Sequence, residues 1–293
     1  MVDQGLWCRR LPRWLAPPAP ATARQPRRRI GTARAYAEIA GVYAVAFGPA
    51  VGTAFYLLNH PGHILNSEVP TLRGQSISEA VNCTVSLPGL VLALWLMRRR
   101  GWTWRRLGIA PRWATGSARR RQAVVIGCVL FAATFLASVL LSSLAPHNRF
   151  PFGRTGAWGM IGGVSAAVRS GFLEELIVTA FVITTLRQAR RPWPEILLVS
   201  LALRAAYHVY YGTPWIVLWV ALWAGTAFLL YWRTRRLTAI MVSHMAWDLQ
   251  GFTVAELGDT GGAMVGALYA AVLVAGLLML GARVLRSAQT SSR

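Results

Sequence analysis

Residues 213–236 read TPWIVLWVALWAGTAFLLYWRTRR. From Thr213 to Trp232 there is no charged side chain, and Arg233, Arg235 and Arg236 follow at once. A helix needs roughly 20 apolar residues to cross the hydrocarbon core of a bilayer. Arginines just beyond such a helix mark its cytoplasmic end. The stretch therefore reads as a transmembrane helix that ends in the cytoplasm.

The same pattern recurs on both sides of it. Further spans are expected at Ala35 to Leu58, Ala80 to Met97, Gln122 to Ala145, a longer one within Ala157 to Leu186, and Pro194 to Tyr211. Beyond the opening stretch come Leu237 to Ala255 and Ala263 to Val284. The expected fold class is all-α, a polytopic membrane helix bundle of about eight transmembrane helices. Composition agrees: 55% of the 293 residues are hydrophobic, only 14% are charged, and mean hydropathy is +0.42. A soluble domain of this length carries more charge.

All 31 basic residues are arginine, and 26 of them fall before the first span or in the loops and tail on one side. That asymmetry places both termini in the cytoplasm. A net charge of +21 raises the question of nucleic acid. These arginines flank apolar spans on one face, however, so they read as topology signals beside a bilayer with anionic lipid and not as a nucleic-acid surface. An arginine-only basic composition suggests a GC-rich bacterial genome, hence a bacterial plasma membrane. Residues 1–34, rich in Arg, Pro and Ala, lack the apolar core and cleavage site of a signal peptide and are expected to be a disordered cytoplasmic tail. The Trp- and Arg-bearing loop Arg98 to Arg121 is expected to lie on the inner leaflet. Three scattered cysteines (Cys8, Cys83 and Cys128) give neither a disulfide framework nor a thiolate metal site, and His60 and His63 read as solvated loop histidines.

Chemistry is expected where ionisable residues enter the apolar spans, because a charge there is costly and needs a cavity or a partner. Six residues on three spans qualify: Glu174, Glu175, Arg204, His208, His244 and Asp248. Counted along the helix from the inner boundary, Glu174 lies roughly 20 Å deep, His208 roughly 22 Å, His244 roughly 12 Å and Asp248 roughly 18 Å. One cluster could bridge that band. His244 and Asp248, and likewise Arg204 and His208, are spaced i, i+4 and share a helix face. Glu174 and Glu175 are adjacent and point about 100° apart, so one should serve the chemistry and the other a partner.

These motifs, Glu174-Glu175-Leu176-Ile177-Val178-Thr179, then Leu203 to Gly212 with His208, then His244-Met245-Ala246-Trp247-Asp248, resemble the CPBP family. That is the CAAX prenyl protease and bacteriocin-processing group, also called Abi proteins. The resemblance covers roughly Gly156 to Phe252. It implies an intramembrane endopeptidase domain over residues 35–286, with a short tail at 287–293. It implies that Glu174 acts as general base, that His208 helps hold the water, and that His244, with position 248, stabilises the oxyanion. The implied mechanism needs no cofactor, and the expected substrate is a membrane-associated peptide or protein.

Three positions depart from the family pattern. Thr179 stands where Arg is usual, Arg204 where Phe is usual, and Asp248 where Asn is common. An arginine lost from one motif and gained in the next suggests that Arg204 pairs with Glu175 as a structural ion pair. Asp248 would then orient His244. Other readings of the same residues are a metal-dependent protease with Zn²⁺ held by Glu174, His208, His244 and Asp248, a membrane transporter or proton relay, and a catalytically inactive family member whose polar residues only hold helices together.

Overall fold

The computed structural model describes residues 29–60, 72–109, 117–144, 156–209, 215–258, 260–268, 271 and 274–275. Most of the amino-terminal tail, His63, Cys8, most of the eighth expected span and the carboxy-terminal tail lie outside them. Among the described residues there is no strand. Nine α-helices follow in order: α1 (Thr32–Asn59), α2 (Leu72–Arg99), α3 (Trp104–Leu107), α4 (Ser117–Leu144), α5 (Gly156–Glu174), α6 (Val182–Gln188), α7 (Trp193–Ala206), α8 (Ile216–Thr234) and α9 (Leu237–Leu257). A π-helical segment, Glu175–Phe181, joins α5 to α6 without a break. Residues 260–268 are helical as well.

Among the described residues, two helices are long and apolar enough to cross a membrane: Thr32–Tyr56 and Ile216–Thr234. Val125–Leu140 is a shorter apolar stretch. The all-helical class stands, while the count of about eight spans is not carried beyond these. The physical reason is visible at residues such as Arg204, Asp248 and Gln250: helices that carry buried polar groups lose hydropathy. The outer faces remain apolar. Val91, Leu136, Leu198, Val217 and Val242 project outward from five different helices, all more than half exposed, which suits lipid and not water.

The centre of the bundle is the segment from Glu175 to Leu186, every residue of which is buried. Its sequence, ELIVTAFVITTL, is apolar around its full circumference, the pattern of a helix enclosed by others. Helices α1, α2, α7, α8 and α9 all pack on it. A π-helix widens the turn and displaces backbone groups from the usual ladder. Here the Val182 amide donates back to the Ile177 carbonyl, and Ser200 of α7 donates to the Val178 carbonyl at 3.0 Å.

One expectation changes. Within the span expected from Pro194 to Tyr211 the α-helix ends at Ala206, Tyr207 and His208 form a turn, Val209 is in a 3₁₀ conformation, and residues 210–211 lie outside the described residues. Fourteen residues give about 21 Å of helix, short of the roughly 30 Å of a bilayer core. In the loop after Arg98, residues 98–109 pack against the protein. Trp102 and Leu107 are buried, and Gly108, at φ +84°, lies so close to the Arg235 carbonyl that a Cβ would collide with it. Thr238 Oγ1 donates to the Gly108 carbonyl at 3.0 Å. At the same end Arg100 pairs with Glu38 and donates to Thr185 Oγ1 at 2.9 Å, and Arg191 grips Glu195 through two bonds of 2.7 and 2.6 Å. Tyr36 of α1 donates to the same Glu195.

Candidate active site

Where α5 passes into the π segment, two neighbouring carboxylates have different surroundings. The side chain of Glu175 is fully buried, whereas that of Glu174 is 14% exposed. Glu175 Oε1 accepts from Arg204 Nη2 and from His244 Nδ1, each at 2.9 Å. Its Oε2 accepts from Thr179 Oγ1 at 2.7 Å. Both oxygens are thus engaged, as a buried carboxylate requires.

Arg204 is the hub. It is 1% exposed, and its Nη2 also donates to Thr179 Oγ1 at 3.2 Å. Nη1 lies 3.4 Å from Glu174 Oε2, and the guanidinium carbon sits 4.7 Å from the ring centre of Trp223. The expected pairing of Arg204 with Glu175 is present in this geometry. Thr179 contributes as well, since its hydroxyl links both partners. Glu174 Oε2 accepts a 2.6 Å bond from the Tyr207 hydroxyl.

The two histidines are oriented by what their Nδ1 atoms touch. His208 Nδ1 lies 2.8 Å from the Arg204 carbonyl oxygen. A carbonyl can only accept, so Nδ1 carries the hydrogen and Nε2 of the neutral ring is the accepting nitrogen. Tyr207, Trp219 and Trp223 surround this ring at 4.6, 5.8 and 6.5 Å between centres. His244 Nδ1 donates to Glu175, and its ring meets the Trp223 ring edge-on at 5.0 Å.

Asp248 lies within ion-pair distance of His244, as expected, but does not hydrogen-bond it. Its Oδ2 lies 3.6 Å from His244 Nε2, too far for a hydrogen bond. Instead Asp248 accepts a bond from the hydroxyl of Ser170 on α5. The carboxylate that orients His244 is Glu175. Close helix packing makes this arrangement: Gly171 of α5 lies against α9, where a Cβ would sit 2.5 Å from Met245 Cγ and 2.9 Å from the Met245 amide nitrogen. Among the described residues, no three His, Cys, Asp or Glu side chains form a group able to hold a metal ion.

Sequence reasoning did not single out Tyr207, Ser170 or Trp223. Tyr207 stands beside His208 in the quoted motif, but tyrosine and tryptophan are ordinary residues in membrane helices. Ser170 lies one helical turn before Glu174, an i, i+4 signal that could have been used.

The family model for type II CAAX prenyl endopeptidase Rce1-like proteins matches residues 155–250. No curated protein and no solved structure is significantly similar to the chain. The matched segment runs from α5 through the paired glutamates and both histidines to Asp248. That likeness supports a membrane-embedded protease at the level of the family. Over residues 155–250 the chain is similar to the Rce1-like type II CAAX prenyl endopeptidases of the CPBP family.

Proposed function

We propose that this protein is an intramembrane endopeptidase that hydrolyses a peptide bond with a water activated by Glu174 and His208. The observation that carries the reading is the division of labour between the paired glutamates. Glu175 is enclosed and bonded at both oxygens, while Glu174 is the carboxylate with partial access. The water donates one hydrogen toward Glu174 and another toward His208 Nε2, the accepting nitrogen. As the water oxygen attacks the substrate carbonyl, Glu174 takes its proton and passes it to the leaving amide nitrogen. His244, as an imidazolium held by Glu175, offers Nε2–H to the oxyanion. No metal takes part in these steps. The substrate is a membrane-associated peptide or protein, the enzyme lies in a bacterial plasma membrane, and both termini face the cytoplasm.

The test is comparative proteomics of new peptide amino termini in membranes that express the wild-type chain or Glu174→Gln. Termini present with wild type and lost with Glu174→Gln are the expected result. Identical sets of termini in the two membranes, with both proteins folded and at equal level, would remove the water-activating role.

A further inference from the structure

Both bonds that restrain Glu174 go to the same atom. The Tyr207 hydroxyl and Arg204 Nη1 approach Oε2, at 2.6 and 3.4 Å. Tyr207 is itself held from outside the family-matched segment. Its ring stacks on Phe47 of α1, with centres 4.8 Å apart and planes 9° from parallel. Tyr43, one turn earlier on α1, lies 6.5 Å from the same ring, and its hydroxyl donates to the Leu203 carbonyl at 2.6 Å. Helix α1 therefore presses on the turn that follows α7 and fixes where the Tyr207 hydroxyl points. A phenol that is 6% exposed needs an acceptor, and Glu174 is the acceptor it has.

We propose that Tyr207, clamped by Phe47 and Tyr43 of α1, is a positioning residue for Glu174: it ties down Oε2 so that Oε1 is presented to the reacting water. A carboxylate that can rotate offers either oxygen and loses near-attack geometry, which is where much catalytic advantage resides. Helix α1 thereby becomes part of the active unit although it lies outside residues 155–250. This rests on the proposed role of Glu174, so its test carries one readout that needs no proteolysis.

The full-length protein, reconstituted in vesicles, is treated with dicyclohexylcarbodiimide, an apolar reagent that reaches intramembrane carboxyl groups. Its nitrogen takes the carboxyl proton, the carboxylate oxygen adds to its central carbon, and the O-acylisourea rearranges to a stable N-acylurea with no other reactant. Labelling at Glu174 and Glu175 is read by peptide mass spectrometry. A carboxyl group released from its tether can turn to meet the reagent. Tyr207→Phe keeps the stacked ring and removes the hydroxyl. It is expected to raise labelling at Glu174 roughly tenfold, the scale of one hydrogen bond to a charged group. Phe47→Leu, which loosens the clamp and keeps the hydroxyl, should give a smaller rise. Glu175 should stay unlabelled in every case. On a substrate found by the proteomic comparison, Tyr207→Phe should lower kcat about tenfold or more with KM unchanged. Labelling that is unchanged in both variants overturns the tether, and so does a wild-type kcat in Tyr207→Phe. Should the wild type cleave nothing, the protease reading fails while the labelling comparison still decides whether Tyr207 holds Glu174.

Discussion

Arg204 is fully enclosed and faces two glutamates, so removing it takes from Glu175 its permanently charged partner and leaves only His244 and Thr179 beside it. Breaking a buried pair from one side costs about 3–5 kcal/mol. Arg204→Leu is expected to lose that order of stability, measured by denaturation in detergent. The double change Arg204→Leu with Thr179→Arg should recover much of the loss, because position 179 already touches Glu175 and a cation there is one turn away on the same helix. Absence of recovery, in a double variant whose new guanidinium lies beside Glu175, would show that the location of the charge matters and not only its presence. This pairing was legible in the sequence: an arginine missing from one motif and gained in the next left one arrangement that balances the charge. The partner of Asp248 was not legible. Spacing i, i+4 shows that two side chains share a face but says nothing of the rotamer or of a third helix, and Ser170 lies on that third helix. Asp248→Asn is expected to keep much of the activity, since the amide oxygen still accepts from Ser170, whereas Ser170→Ala should lower turnover by freeing the side chain. Loss of all cleavage in a folded Asp248→Asn would instead require the charge.

At the scale of elements, the tight crossing of α5 and α9 brings Ser170 to Asp248 and Glu175 to His244. The crossing depends on Gly171, where a Cβ would meet the Met245 amide nitrogen at 2.9 Å and the Met241 carbonyl at 3.0 Å. Gly171→Ala should therefore lower both the melting temperature and the cleavage rate. Gly225 of α8 is the internal control. A Cβ there meets nothing within 4 Å, and glycine inside a helix costs about 0.5–1 kcal/mol relative to alanine. Gly225→Ala should raise the melting temperature slightly and leave activity alone; equal losses in the two variants would remove the packing explanation. The spans read from hydropathy agree with the observed helices within a few residues at most ends, because a long apolar run bounded by arginine has few alternatives. The starts of α2 and α4, eight and five residues before the expected Ala80 and Gln122, and the end of α7 are exceptions. Apolar residues continue past Ala206, and the hydropathy pattern does not require a turn at Tyr207. A tertiary contact and a local one account for it: the Tyr207 hydroxyl reaches Glu174, and the His208 ring closes on the Arg204 carbonyl of the preceding turn.

For the molecule as a whole, the arginine distribution predicts that single cysteines placed near both ends, in a background without Cys8, Cys83 and Cys128, react with an impermeant maleimide from the cytoplasmic side only. Labelling of either end from the outer face would contradict the expected topology. The short α7 also bears on biogenesis. A translocon releases a helix into lipid when the segment is long and apolar enough, and α7 is short and carries Arg204 in its last turn. At 14 residues with Arg204 inside, α7 should fail that threshold alone and enter only once α8 has emerged behind it and the carboxylates of α5 are waiting. Nascent chains halted just after α7 should leave it outside the bilayer, and Arg204→Leu should raise the fraction that inserts. The substitution that eases entry of the isolated helix is thus the one that weakens the finished protein.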